Sequence, residues 1–263
     1  MNDARLRLPL AAAALPLVSF LVLPLAGLLL RASGEDILGT FLGPEAARAV
    51  ALSVTTTLIT VLIAVAFGTP AAYLIARKKF PGKSVLDALV DLPVVLPPSV
   101  AGIALLVTFG RRGVLGGMLA SLGLELPFTQ AAVVMAQVFV AVPLYVRTLA
   151  VAFAAVDRDL ELAAAIDGAS RWQTFLRVTL PLSLRGAVGG AIMTWARALG
   201  EFGATIIFAG NFPGRTQTMP LAIYMGFELD LRVALALAAV LLVTSFVVLA
   251  AVRGIAGRWI ESA

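Results

Sequence analysis

The stretch DRDLELAAAIDGASRWQTFLRVTLP, Asp157 to Pro181, decides how the rest of the chain is read. It is a charged, amphipathic island between apolar runs that are long enough to cross a bilayer. A polar segment of this length between two spans lies in water, on headgroups or against another protein. Its grammar predicts two short helices. Asp157 or Asp159 caps the first, with Glu161 in the opening turn, where the helix dipole favours an anion. Gly168 interrupts it. Ser170 followed by Gln173 is a capping box, so a second helix restarts there. On that helix Trp172, Phe175, Leu176 and Thr179 fall on one face, with Arg171 and Arg177 elsewhere. Pro181 suits the first turn of the next helix. Ala163, Ala164 and Ala165 leave the first helix smooth enough for another surface to approach its backbone. Two readings fit this pattern: a docking surface for a protein, and a helix pair lying flat on lipid headgroups.

The chain around the island is oily. Of 263 residues, 60% are hydrophobic and 13% charged, with a mean hydropathy of +1.00. Soluble chains are about 45–50% apolar and about 25% charged, so this is a polytopic, all-α membrane protein. The net charge of +5 does not point to nucleic acid, because the cations cluster beside apolar runs, where topology accounts for them. Cysteine and histidine are both absent from the sequence, which excludes disulfides, thiolate chemistry and imidazole acid–base or metal chemistry. An intramembrane enzyme would need a nucleophile with a base, or metal ligands, and neither stands out. Gly82-Lys83-Ser84 is not a phosphate-binding loop, because Arg77 occupies the position where the first glycine belongs and no strand precedes it.

Six apolar stretches read as spans: 9–30, 49–76, 85–109, 129–154, 182–208 and 233–252. The first is too long for the core of a signal peptide and is read as a retained helix. Residues 1–48 then form an N-terminal span and outer loop, 49–252 the core with the island at 157–181, and 253–263 a basic tail. Gly68-Thr69-Pro70 predicts a kink in the second span. Pro93, Pro97 and Pro98 break the third. Six spans put both termini on one side. The cations on that side, densest at Arg77, Lys78, Lys79 and Lys83, are about twice those on the other, so termini and island face the cytoplasm.

The fifth span carries Trp195-Ala-Arg197-Ala-Leu-Gly-Glu201-Phe-Gly-Ala-Thr205. A charge at mid-membrane costs roughly 2.5–3.5 kcal/mol on insertion scales. Arg197 and Glu201 are four apart, share a helical face and can pair, which lowers that cost. The pair serves either helix packing alone or an anion pathway to which Arg197 lends positive potential. Thr194 and Thr205 are candidate lining groups with them, and Gly200 and Gly203 permit close approach. An ion-coupled secondary transporter would require a midplane cluster of polar groups. None is visible beyond this pair.

Four segments carry a family resemblance. The island resembles the coupling loop of ABC-importer permeases, with Ala163, Ala164, Gly168, Val178, Leu180 and Pro181 on that loop's pattern. Leu162 stands where the pattern has Glu, and Glu161 comes one residue early. Phe80 to Leu106 resembles molybdate and tungstate permeases, Ala196 to Thr205 resembles the sulfate and molybdate branch of the family, and the run Pro213 to Pro220 resembles molybdate permeases. The resemblance implies a type I importer fold and a permease that is not an enzyme. It implies a homodimer in the inner membrane of a prokaryote. It also implies docking of a separate ATPase on Glu161, Ala163, Ala164, Gly168, Trp172, Val178, Leu180 and Pro181. ATP and Mg would be bound by that ATPase, this chain holding no cofactor or metal. Oxyanion would be delivered by an extracytoplasmic binding protein. Sulfate or thiosulfate import by the same machinery is the neighbouring expectation.

Overall fold

The computed structural model describes residues 3–32, 34, 39 and 43–261, with side chains for residue 10 and residues 12–32, 34, 39 and 43–250. The acidic pair Glu35 and Asp36, and the side chains of the basic tail, lie outside the described residues. Every regular element among those described is helical. In chain order they are α1 (Asp3–Ala32), α2 (Pro44–Arg77), α3 (Lys83–Val95), α4 (Pro98–Phe109), α5 (Gly116–Ser121) and α6 (Gln130–Ala155). Then come α7 (Arg158–Ile166), α8 (Arg171–Thr174), α9 (Leu180–Leu182), α10 (Leu184–Leu199), α11 (Gly203–Phe208), α12 (Met219–Leu229) and α13 (Leu231–Glu261).

Four of these helices contain stretches long and apolar enough to cross a membrane: Ala12–Ala32, Pro44–Arg77, Gln130–Ala155 and Leu231–Ala250. A fifth span is obtained if α3 and α4 count as one stretch, bent by 116°. The expected span at 182–208 is not a continuous helix; it divides into α10 and α11 around residues 200–202. Among the described residues there are thus four unbroken spans, or five with the bent pair, and the sixth expected span is a broken pair of shorter helices.

The core is built on α6, which packs against α2, α3, α4, α10 and α11. Its closest partner is α10, and small residues explain why. A Cβ added at Gly186 would fall 2.2 Å from the Ala152 Cβ, and one at Gly190 would fall 3.2 Å from the Tyr145 ring. Two glycines four apart let the helix backbones approach in a way that apolar surface alone does not drive inside lipid. One end of α6 packs Ala132, Val133, Ala136 and Val140 with Ala101 and Leu105 of α4 and Ala204 and Phe208 of α11. The other end packs Tyr145, Val146, Leu149 and Phe153 with Ala64, Ala72 and Ile75 of α2. Helix α1 is peripheral: its span is almost wholly unburied, Ala32 at its end excepted, and it packs against α13.

Polar groups pin α2 at several heights. Gln137, fully buried on α6, accepts from Thr60 Oγ1 at 3.0 Å and donates to Thr56 Oγ1 at 3.2 Å. Ser53 Oγ accepts the Met219 N–H at 2.8 Å, joining α2 to α12. In place of the kink expected at Gly68-Thr69-Pro70, α2 makes a π turn at Ala64–Gly68. Pro70 has no N–H to give, and a π turn shifts the hydrogen-bond register around such a gap.

Candidate docking island and translocation site

The island folds as its capping residues dictate. Asp157 accepts the Asp159 N–H at 3.0 Å and starts α7. That helix ends in a Schellman motif: Gly168 N–H donates to Ala165 O at 3.1 Å and Ala169 N–H to Ala164 O at 2.9 Å. The motif needs a left-handed residue, and Gly168 has φ +87°. A Cβ there would meet nothing within 4 Å, so glycine is required by conformation and not by crowding. Ser170 and Gln173 form the full capping box that starts α8. Phe175–Thr179 is a π turn, which rotates the following residues off the expected shared face. Thr179 is consequently buried, while Leu176 and Trp172 are exposed. Pro181 lies in the first turn of α9, as expected.

The island has an inner and an outer side. Inside, Phe175 packs edge-on against Tyr73 with centroids 5.0 Å apart, and Leu180 joins the same cluster. Glu161 turns inward as well. Its Oε1 accepts from Thr179 Oγ1 at 2.6 Å and lies 3.4 Å from Arg77 Nη2. The early acidic residue thus ties the island to the end of α2, while Leu162, in the position where the resembled pattern has Glu, is exposed. Val178 is half-buried and Ala164 likewise, whereas Ala163 and Pro181 are exposed. Outside, Ile166 is 86% exposed and Trp172 66%, the latter stacked on Phe175.

The second candidate site lies where α10 gives way to α11. Arg197 Nη1 is 2.8 Å from Glu201 Oε2, but across a break in the helix and not along one continuous face. The other oxygen, Oε1, accepts the Ala204 N–H at 2.8 Å and so satisfies an orphan donor of α11. Each charge sits at the helix end that its dipole favours, the cation at the C-terminus of α10 and the carboxylate at the N-terminus of α11. Exposure separates them: the Glu201 side chain is 1% exposed and that of Arg197 33%. Thr194 is fully buried and donates to Ala141 O at 3.3 Å, which makes it a packing group against α6. Thr205 is also fully buried. The structure therefore brings Arg197 and Glu201 together and leaves both threonines in the protein interior.

The break is pressed against the α3–α4 bend. A Cβ on Gly203 would lie 3.0 Å from the Pro98 Cβ, and one on Gly102 would lie 2.9 Å from Ala204 O. Gly200, by contrast, has only its own helix near it. Gln137 with Thr56 and Thr60 is a buried polar cluster that the sequence reading did not assemble; only Gln137, within an apolar span, signalled it.

The family model for the inner membrane component of binding-protein-dependent transport systems matches residues 64–260, and the chain belongs to that family. Among curated relatives, the probable transport system permease protein NifC of Clostridium pasteurianum is 40% identical, covering 89% of this chain and 82% of its own length. The molybdenum transport system permease protein ModB of Escherichia coli K12 is 45% identical over 67% of this chain and 78% of its own. A probable sulfate transport permease, cysT of Chlorokybus atmophyticus, is 38% identical over 79% and 74%. Among solved structures, a bacterial alginate ABC transporter in complex with a periplasmic protein bound to an alginate pentasaccharide has the same fold. Its TM-score is 0.74 at 18% identity, covering 97% of this chain and 95% of that one. The chain is a membrane permease subunit, multi-pass and not an enzyme.

Proposed function

We propose that this permease moves molybdate inward, with tungstate carried by the same route. The substrate class is supported by the likeness to the molybdenum permease ModB, whose identity exceeds that of the sulfate relative. The single structural observation behind the anion reading is the unequal exposure of the ion pair, with a partly open Arg197 held by a buried Glu201. A cation fixed from behind offers positive potential to a passing dianion without a cage that would trap it. Two copies of the chain enclose the path, a separate ATPase supplies the ATP and Mg chemistry, and an extracytoplasmic binding protein supplies the affinity. The island faces the cytoplasm with both termini. Its outward Ile166 and Trp172, on a scaffold tied down by Glu161, Phe175 and Leu180, form the surface that the ATPase grips.

Uptake of labelled molybdate by vesicles containing the permease, ATPase and binding protein, with and without excess sulfate, tests the substrate. Sulfate that competes fully would move the assignment to sulfate. Arg197→Ala is expected to leave assembly intact while lowering flux several-fold; loss of folding instead would make the pair purely structural. Gly168→Trp should abolish ATP-dependent uptake with membrane insertion preserved. Unaltered capture of the ATPase by that variant would remove the island from the interface.

A further inference from the structure

Where α2 ends, the chain forms a cleft of about 640 Å³ between the span and the island. Tyr73, Arg77 and Lys78 line one side, and Arg158, Glu161 and Arg171 the other. Four cations therefore face one carboxylate, and that carboxylate is already committed to Arg77 and Thr179. Among the described residues, Lys78, Arg158 and Arg171 have no carboxylate partner. Lys78 lies over the Tyr73 ring, 5.7 Å from its centroid. The Arg77 side chain is only 6% exposed and gives Nη2 to Val156 O at 2.7 Å. Its Nε–H is buried without an acceptor. A buried guanidinium donor left open, in a cleft with surplus positive charge, calls for an oxygen-rich anion.

The height of the cleft narrows the choice. Arg77 is the last residue of a 34-residue helix long enough to cross a membrane, so the cleft lies at the level of one membrane surface. Lys79 and Lys83 extend the basic surface beside it, and Leu74, 44% exposed, carries an apolar flank along the span. We infer that this cleft binds a phosphate-type anion, and that the headgroup of an anionic phospholipid supplies it. Basic pockets at the membrane ends of helices recognise such headgroups by charge and bidentate hydrogen bonding. The bound phosphate links Lys78 of the α2 end to Arg158 and Arg171 of the island, and so braces the island against the span. The inference is independent of which substrate the permease carries.

The test uses the assembled transporter in neutral phosphatidylcholine discs, titrated with short-chain phosphatidylglycerol and, separately, with inorganic phosphate. Melting temperature and apparent affinity are read in both arms. Lys78→Gln, Arg158→Gln and Arg171→Gln alter exposed side chains and leave the Arg77 contacts in place. Each is expected to weaken phosphatidylglycerol binding roughly fivefold, and the triple variant roughly a hundredfold. Saturation by inorganic phosphate in place of lipid would keep the site and assign it to a free anion. Equal lipid binding by the native protein and the triple variant would overturn the inference. So would stabilisation by the ATPase in neutral lipid to which phosphatidylglycerol adds nothing, because the cleft would then belong to a protein partner.

Discussion

The break between α3 and α4 and the break between α10 and α11 press against each other, yet they are made by different chemistry. At the first, Pro97 and Pro98 remove two N–H donors and hold the chain extended, and the helices part at 116° without any charge. At the second there is no proline. Gly200, Glu201 and Phe202 interrupt the helix, and a carboxylate takes over a donor that the missing turn would have used. The proline break depends on covalent geometry and survives any single side-chain loss nearby. The glutamate break depends on one buried charge kept in balance by Arg197, so it is the chemically fragile member of the pair.

That contrast is open to attack in order of expected effect. Glu201→Leu strands both the Ala204 N–H and the Arg197 charge, and should cost about 3–5 kcal/mol in thermal unfolding of the detergent-solubilised protein. A loss below about 1 kcal/mol would mean that the carboxylate does not hold the break. Gly203→Val pushes a branched side chain into Pro98 and should cost about 1–3 kcal/mol by the same measurement. A neutral outcome there would show that the two breaks are not in firm contact. Pro97→Ala should cost the least, about 0.4–1 kcal/mol, mainly by loosening the unfolded chain. If it equalled Glu201→Leu, the distinction between the two breaks would disappear.

The same contrast explains what could be read in advance. Two adjacent prolines remove two donors in succession, so the bend at Pro97 and Pro98 was legible, whereas Pro93, expected to break the same span, lies inside α3. Arg197 and Glu201 stand four apart, the spacing of a helical pair, and the pairing was legible for that reason; the helix break between them was not, because a continuous helix would satisfy the same spacing. On the island, Asp157, Gly168, Ser170 and Gln173 act through neighbours within a few residues, and all four took the roles their types predict. Glu161 was harder, since its partner Arg77 lies far away in the chain and only the fold brings them together. The burial of Thr194 and Thr205 was not legible, because a hydroxyl in a span reads the same whether it faces a pore or a neighbouring helix. Gly186 and Gly190, four residues apart, carry a packing signal in plain view, and Gly203 makes the close approach its type permits, while Gly200 has only its own helix near it.

The attachments of α2 have a mechanical consequence. This helix has 34 residues, about 51 Å of length at 1.5 Å per residue. It is fastened near its midpoint, where Thr60 meets Gln137, and again toward each end, at Ser53 and at Arg77. Held at these three heights, α2 joins the island, through Arg77 and Glu161, to the start of α12, through Ser53 and the Met219 N–H, in one continuous helix.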